Sequence, residues 1–123
     1  MPDLHIAVDG IELSASWTDE NPETRAALSE VLPVEGDATR WGDELYFGVP
    51  IDVEAENARE EVPAGAVAYW PGGNAICLFW GATPASQSDE PRAAAPVNVI
   101  AMIENPELLG DIDGGARVRI EQA

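Results

Sequence analysis

Aromatic side chains that could form a binding pocket are concentrated in two short segments. The first is residues 40–47 (RWGDELYF) and the second is residues 69–81 (YWPGGNAICLFWG). Small-molecule sites are lined mainly by apolar and aromatic groups, with a few polar groups that orient the ligand. The aromatic candidates are Trp41, Tyr46, Phe47, Tyr69, Trp70 and Phe79. The same residues also suit a hydrophobic core, so the pattern predicts a core that also lines a pocket.

Two polar residues within these segments, Glu44 and Asn74, could contact a small ligand. Glu44 stands beside aromatic residues, and a carboxyl can act as a general acid or base when burial shifts its pKa. The alternative is a strand carboxylate that faces solvent. The sequence leaves both interpretations of Glu44 open.

Two arginines could support a different chemistry, the isomerisation of X-Pro peptide bonds. The barrier to rotation about a peptide bond is about 18–20 kcal/mol. An apolar pocket with one well-placed donor, such as a guanidinium, can lower it. Arg40 is the first candidate for a catalytic donor and Arg92 is the second. In a chain so rich in acids, each is also expected as a partner in surface ion pairs.

Other kinds of active site have no signature in this sequence. It contains one His, His5, and one Cys, Cys77, with no catalytic triad, metal-ligand cluster or phosphate-binding loop. We therefore expect neither a metal nor a cofactor. Cys77 stands in an apolar run, where a cysteine behaves as a small buried hydrophobic residue.

The chain is very acidic, with 23 Asp and Glu residues against six Arg, no Lys and a net charge of −17. Nucleic-acid binding needs a basic surface and anionic membranes repel acidic proteins, so neither partner is expected. The acids are spread along the whole chain, and molar salt would largely screen their mutual repulsion. We therefore expect a halophilic protein with an acidic surface. The alternative is an acidic surface for a basic partner.

The N-terminal residues 1–5 (MPDLH) have neither a basic start nor a long apolar run, so no signal peptide is predicted. No apolar stretch approaches the roughly 18 residues that a membrane helix needs. These observations predict a cytoplasmic protein whose partner is a peptide or a small molecule.

Short strands joined by turns account for most of the chain. Asp9-Gly10, between two alternating apolar runs, predicts a hairpin with a type I′ turn. Residues 71–74 (PGGN) predict the turn of a second hairpin, whose apolar strand at 75–80 should be covered on both faces. Further strands are predicted at residues 44–47, 51–53, 97–103 and 117–120, with an edge strand as one interpretation of residues 34–39.

Asn-Pro pairs predict two helices, one from Pro22 to about Leu32 and a short one ending at Gly110. Asn21 is the expected N-cap of the first helix. Residues 54–61 are predicted as a charged surface loop. Residues 83–96 are predicted as a long polar loop, either functional or a simple surface excursion. Together these elements indicate a single mostly-β domain over residues 1–123.

Three segments resemble a family of short stand-alone prokaryotic proteins with a cyclophilin-like fold. They are residues 40–47, residues 65–84 (GAVAYWPGGNAICLFWGATP) and residues 96–101 (PVNVIA). The family pattern is approximately T-x-W-G-x-E-[IL]-Y-F, then G-D-[IV]-x-Y-W-P-P-G-x-A-[IL]-C-L-F-F-G-x-T-P, then V-N-V-I-G. The chain departs from this pattern at Ala66, Gly72 and Trp80.

The resemblance implies a closed β-barrel of about eight strands with two short helices capping its ends, and it leaves the function open. Cyclophilins isomerise X-Pro bonds with an Arg in an F-H-R segment, a Q-G-G-D segment and a Q-F-F-I strand. This sequence has neither F-H-R nor Q-G-G-D. Residues 77–80 (CLFW) are loosely similar to Q-F-F-I, which would place Phe79 in the analogous groove.

Three functional hypotheses remain open at this point. The first is a module that binds proline-containing peptides, with an isomerase activity that the missing motifs argue against. The second is a small-molecule-binding barrel, sensor or enzyme, that uses an aromatic pocket with Glu44 and Asn74. The third is an interaction protein without chemistry, which would show an exposed apolar patch.

Overall fold

A strongly curved antiparallel sheet forms the body of the molecule. The computed structural model describes residues 2–112 and 115–123. Within them the strands are β1 (Leu4–Val8), β2 (Ile11–Trp17), β3 (Val34–Asp37), β4 (Thr39–Arg40), β5 (Glu44–Gly48), β6 (Arg59–Glu61), β7 (Ala66–Trp70), β8 (Ala75–Phe79), β9 (Arg92–Ile103) and β10 (Arg117–Gln122). The helices are α1 (Pro22–Val31) and a 3₁₀ helix (Pro106–Leu109).

The sheet is not a closed eight-stranded barrel, so that prediction is wrong. The described residues form ten strands in the order β3-β10-β1-β2-β9-β7-β8-β5-β4, with β6 paired to β9 off this path. The two end strands, β3 and β4, are separated in the chain by Ala38 alone. Antiparallel neighbours need a turn of about two residues or more between them, so these two strands cannot hydrogen-bond to each other and close the sheet.

The first hairpin is confirmed. Asp9 and Gly10 have φ angles of 48° and 88°, as both central residues of a type I′ turn require. Leu4, Ile6 and Val8 are buried on one face of β1. His5 lies on the other face, half-buried, with Nε2 at 3.5 Å from a Glu12 carboxylate oxygen.

Helix α1 begins at Pro22 with Asn21 at the N-cap position, as predicted, but the Asn21 side chain makes no capping hydrogen bond. The buried Asn21 amide instead donates to the Val99 carbonyl at 2.7 Å. Glu56 performs the capping, since its carboxylate accepts the backbone N–H groups of Glu23 and Thr24, each at 3.2 Å. A carboxylate at this position satisfies free N–H groups and complements the helix dipole.

The predicted strand at residues 51–53 is absent from the structure, where these residues form an irregular segment. Side chains take the place of a neighbouring strand here. The Tyr69 hydroxyl donates to the Ile51 carbonyl at 2.9 Å, and the Asn74 amide donates to the same oxygen at 3.1 Å. The Val53 N–H donates to the Tyr69 hydroxyl at 3.3 Å, so these backbone groups find partners without a strand ladder.

The last residues of two predicted loops are strand residues in the structure. Residues 59–61 of the charged segment form β6, and β9 begins at Arg92, within the predicted polar loop. Both departures have one cause, because β6 and the first half of β9 pair with each other, Arg59 opposite Val97 and Glu61 opposite Arg92. Each strand supplies hydrogen-bond partners for the other. The charged composition of residues 54–61 and the proline at position 96 gave no sign of this pairing.

Strands β5, β7 and β8 are covered on both faces, which confirms the prediction for residues 75–80. The main core lies on one face and includes Leu45, Phe47, Tyr69, Ile76 and Leu78. A second cluster lies on the opposite face. Its members are Val62, Ala66, Ala68, Cys77, Phe79, Ala93, Val97 and Val99, with Tyr46, Trp70 and Met102 packed against them.

In the part of the chain that the structure describes, neither helix has the length and apolar character needed to cross a bilayer.

Candidate functional site

A pocket opens in the second cluster, between the sheet formed by β5, β7 and β8 and the first half of β9. Its cavity volume is about 140 Å³. The lining residues are Trp41, Glu44, Tyr46, Trp70, Cys77, Ala93, Ala94, Ala95 and Val97. A dry cavity of roughly 150 Å³ can hold a molecule of the size of benzene, so this pocket suits a small ligand.

The floor of the pocket follows from strand periodicity. Successive side chains of a strand alternate between its faces, so Glu44 and Tyr46 share one face while Leu45 and Phe47 enter the main core. Tyr46 pairs with Cys77 of β8 in the register of the two strands. The carboxyl, the phenol and the thiol therefore belong to one patch of the sheet.

The opposite wall is built from small residues of β9. This strand has 12 residues and pairs with β6 in its first half and with β7 and β2 in its second. Its first half therefore lies over the second cluster. Ala93, Ala94 and Ala95 line the pocket there. Ala93 and Ala95 share one face of the strand, and their short side chains leave space that larger residues would fill.

The turn before β5 positions Trp41 at the pocket. Gly42 has φ 63°, and a Cβ added there would lie 2.7 Å from the Cα of Thr83, so the close approach requires glycine. Asp43 is tied on both sides: its N–H donates to the Ala82 carbonyl at 2.9 Å, and its carbonyl accepts from the Trp80 N–H at 3.0 Å. The backbone beside Trp41 is therefore fixed.

Two aromatic rings meet at a right angle in the pocket wall. The rings of Tyr46 and Trp70 have centroids 6.3 Å apart and an interplanar angle of 90°. This edge-to-face arrangement is a favourable one for aromatic pairs. The two rings therefore form perpendicular walls.

Glu44 is the polar centre of the pocket, and it is only 5 % exposed. Desolvation raises its pKa from 4.5 to about 7, and a hydrogen bond with the Cys77 thiol acts in the opposite direction to a smaller extent. None of the ion pairs formed by residues 2–112 and 115–123 includes Glu44. Near neutral pH the carboxyl is therefore poised between its two charge states.

Cys77 is buried, with 2 % of its surface exposed, and it belongs to the second cluster as the apolar context predicts. Burial, together with the neighbouring Glu44 carboxyl, raises the pKa of its thiol well above the ordinary value. A thiol with a raised pKa is a weak nucleophile near neutral pH, because the thiolate is the reactive form. In this pocket Cys77 acts as a neutral partner of the carboxyl.

The structure brings together four of the predicted binding residues, Trp41, Glu44, Tyr46 and Trp70. The other four lie outside the pocket lining. Phe47 and Tyr69 are in the main core, Phe79 is buried within the second cluster, and Asn74 is in the turn between β7 and β8. Glu44 and Asn74, predicted as partners around one ligand, are therefore separated.

Arg40 lies outside the pocket lining and is engaged elsewhere. Its guanidinium donates to the Gly42 carbonyl at 2.8 Å, to Asp43 Oδ1 at 3.0 Å and to the Ile112 carbonyl. It also lies over the Trp80 ring at 5.3 Å from the centroid. These contacts tie the turn before β5 to the segment after the 3₁₀ helix.

Arg92 also lies outside the pocket lining and holds the loop that leads to β9. It donates to Glu90 Oε2 at 3.0 Å and to Glu61 Oε1 at 3.1 Å. The Glu90 carboxylate in turn accepts the N–H groups of Gln87 and Ser88, each at 2.8 Å. Hydrogen bonds from the backbone N–H of Gln87 and from the Arg92 guanidinium lower the pKa of Glu90 from 4.5 to about 2.

Sequence reasoning missed the role of Cys77 and of the β9 residues in this pocket. The alternation of Glu44 and Tyr46 on β5 was the available signal for the floor. Cys77 lies opposite Tyr46 only because β5 pairs with β8, and two other strands separate these in the chain. The run at residues 93–95 looked like part of a polar loop. No local pattern indicated that it folds back over the sheet.

The described residues contain no group of three His, Cys, Asp or Glu side chains placed to hold a metal ion. The pocket offers one carboxylate and one thiol, fewer ligands than a structural or catalytic zinc site uses. The arrangement therefore suits ligand binding through one charge and several rings.

Comparison with known proteins agrees with this architecture. The model of the family described as Cyclophilin-like matches residues 2–121. The chain belongs to the cyclophilin-like family. The resemblance predicted from residues 40–47, 65–84 and 96–101 is thereby confirmed.

Seven chains of solved structures match this cyclophilin-like protein. Among them is the solution structure of a hypothetical protein from Archaeoglobus fulgidus, which is 42 % identical and superimposes with a TM-score of 0.80. The match covers 99 % of this chain and 95 % of that one. None of the curated proteins matches the chain. Membership of the cyclophilin-like family therefore establishes the fold and leaves the function open.

Proposed function

We propose that this protein binds a small organic molecule in the pocket between β5, β8 and β9, with Glu44 as its polar anchor. One observation carries the proposal: a carboxyl that is 5 % exposed lines an apolar cavity of about 140 Å³. A buried carboxyl costs stability unless something compensates it, and it is retained most readily where a ligand uses it. Perturbed ionisable groups in apolar pockets are typical of functional sites.

The contacts of the arginines favour this function over prolyl isomerisation. None of the described residues that line the pocket is an arginine, and the guanidinium groups of Arg40 and Arg92 are bound to carbonyl and carboxylate oxygens. A guanidinium donor for an X-Pro carbonyl would have to leave those partners. The isomerase hypothesis therefore has no observation in its favour.

The interaction-protein hypothesis also lacks its expected feature. Within residues 2–112 and 115–123, Leu108 is the only large hydrophobic side chain that is exposed. One exposed leucine is ordinary for a folded protein and does not make an apolar patch. The concave pocket is the more distinctive surface.

The test is a fragment titration monitored by ¹H–¹⁵N spectra in 1 M KCl, with neutral, cationic and anionic fragments no larger than a substituted benzene. We expect ligand-dependent shifts to centre on the amides of Tyr46, Cys77 and Ala95. Ala95→Leu should abolish binding because the larger side chain occupies the cavity. Glu44→Gln should weaken binding, because it removes the charge while it keeps the shape.

Glu104→Gln is the matched control, because it removes one carboxylate at an exposed position outside the pocket lining. It should bind as the wild type does. Fragments that shift residues elsewhere, or that bind the Ala95→Leu variant with unchanged affinity, would contradict the proposed function.

A further inference from the structure

We propose that the ligand is a small methylated ammonium ion, held between the aromatic walls with the Glu44 carboxylate as its counter-ion. This inference rests on the proposed function and names the chemical class of its ligand. The aromatic walls are Trp41, Tyr46 and Trp70.

The charge of the pocket calls for a cation. Glu44 is nearly fully buried and lines the cavity, and no ion pair among the described residues includes it. An ionised carboxylate in apolar surroundings is costly without a positive partner. The described residues that line the pocket include no Arg or His, so a positive charge at this point would come from the ligand.

The aromatic rings of the pocket provide a second attraction for a cation, in addition to the Glu44 carboxylate. A cation placed over the face of a Trp or Tyr ring is attracted by the ring quadrupole, by about 0.5–2 kcal/mol according to exposure. Tyr46 and Trp70 stand perpendicular to each other, and Trp41 is on the same pocket. Because the three rings line the same cavity, a cation bound there would have more than one ring nearby.

The third wall favours a methylated cation over potassium or ammonium. Ala93, Ala95 and Val97 share one face of β9 and line the cavity with apolar atoms, to which Ala94 adds its part of the strand. A strongly hydrated ion would lose its water shell there and find one carboxylate in exchange, which is unfavourable. Methyl groups on nitrogen would instead pack against the alanines, and the volume of about 140 Å³ fits a cation of this size.

The experiment compares choline with 3,3-dimethyl-1-butanol, its neutral carbon isostere. Both are titrated into the full chain in 1 M KCl at pH 8 and followed by calorimetry and ¹H–¹⁵N spectra. The salt suppresses unspecific attraction of cations to a chain of net charge −17. We expect choline to bind at least about tenfold more tightly than the alcohol, the effect of one charge-assisted contact.

Two variants separate the contributions. Glu44→Gln should remove the preference for choline, while the exposed control Glu104→Gln should keep it. Trp41→Leu should weaken choline binding by roughly three- to thirtyfold and affect the alcohol less, since a cation–π contact is worth about 0.5–2 kcal/mol.

The pH dependence gives an independent readout. Because burial places the pKa of Glu44 at about 7, the ionised fraction rises from about one tenth at pH 6 to about nine tenths at pH 8. Choline affinity should therefore rise about tenfold over this range. A ligand that accepts a hydrogen bond from the neutral carboxyl would show the opposite trend.

Equal affinities for choline and the alcohol, or choline binding that weakens as the pH rises, would overturn this inference. If other fragments bind in the pocket and choline does not, the proposed function stands and the ammonium assignment fails. If no fragment of any charge binds there, both fail together.

Discussion

Glu44 combines burial, a position in the pocket and a raised pKa in one residue. Between pH 4.5 and about 7 the folded protein keeps a proton on this carboxyl that the unfolded chain has already released. The stability that this group contributes is therefore fully present below about pH 4.5 and is lost as the pH rises through 7. The shift corresponds to about 3 kcal/mol, at about 1.4 kcal/mol for each pKa unit.

Glu44→Gln should expose this dependence, because glutamine stays neutral at every pH. The free energy of unfolding of the variant minus that of the wild type is expected to increase by about 3 kcal/mol between pH 4.5 and pH 8.5. Urea unfolding at several pH values in 1 M KCl measures this difference. Glu104→Gln should show no comparable trend, and a Glu44→Gln difference that is the same at pH 5 and pH 8 would refute the assignment.

At the scale of single elements, helix α1 depends on a partner that is remote in the chain. Glu56 accepts the N–H groups of Glu23 and Thr24, and its own N–H donates to Asn98 Oδ1 at 3.0 Å. The Asn98 amide donates in turn to Thr24 Oγ1 at 2.9 Å. The irregular segment after β5, the helix and β9 are thus joined by one polar network, which makes up for the missing cap at Asn21.

Glu56→Ala should destabilise the protein by about 1 kcal/mol, in the range of 0.5–2 kcal/mol for lost helix caps. Chemical denaturation monitored by circular dichroism measures the change. Glu54→Gln is a suitable comparison, because Glu54 is exposed and surface substitutions usually change stability by less than about 0.5 kcal/mol. Equal effects of the two substitutions would show that the Glu56 contacts do not stabilise the helix.

At the scale of the whole molecule, the large excess of negative charge is expected to determine how stability depends on salt. A chain of 123 residues with net charge −17 repels itself at low ionic strength. The 11 ion pairs among the described residues engage all six arginines with carboxylates, and His5 with Glu12. More than half of the described Asp and Glu side chains have no such partner. We therefore propose that this is a protein adapted to high salt.

The melting temperature should rise markedly as KCl increases from about 0.1 M to above 1 M, where the Debye length falls from about 10 Å to about 3 Å. Below about 0.5 M KCl the fold is expected to loosen. Differential scanning calorimetry over a KCl series measures this, with sucrose at matched osmolality as the uncharged control. A melting temperature independent of salt would contradict the adaptation.

Several parts of the fold were predictable because they depend on neighbours in sequence. Asp9-Gly10 specifies its turn through φ angles that few residue pairs adopt, and Pro22 marks the helix start. The alternation along β5 places Glu44 and Tyr46 on one face whatever the rest of the chain does. Four of the eight candidate binding residues line the pocket, and their role in binding stays a prediction.

Other features depend on which strands meet, and no local pattern encodes that. Arg40 was a candidate for a catalytic donor or an ion-pair partner, and it also binds the carbonyl of Ile112, 72 positions away. Tyr69 looked like a pocket residue, but its face of β7 belongs to the main core. Residues 51–53 have the apolar alternation of a strand, yet side chains satisfy their backbone instead.

The sequence alone determined the family, the mostly-β class and the short-range turns, because motif, turn and alternation are properties of adjacent residues. Tertiary structure alone decided that the sheet stays open. Its two edge strands are β3 and β4, and only one residue separates them in the chain. It also decided the pocket, because the alanines of β9 reach Glu44 only when that strand folds back to pair with β6. Long-range strand pairing thus buries Glu44 of β5 in the lining of this pocket.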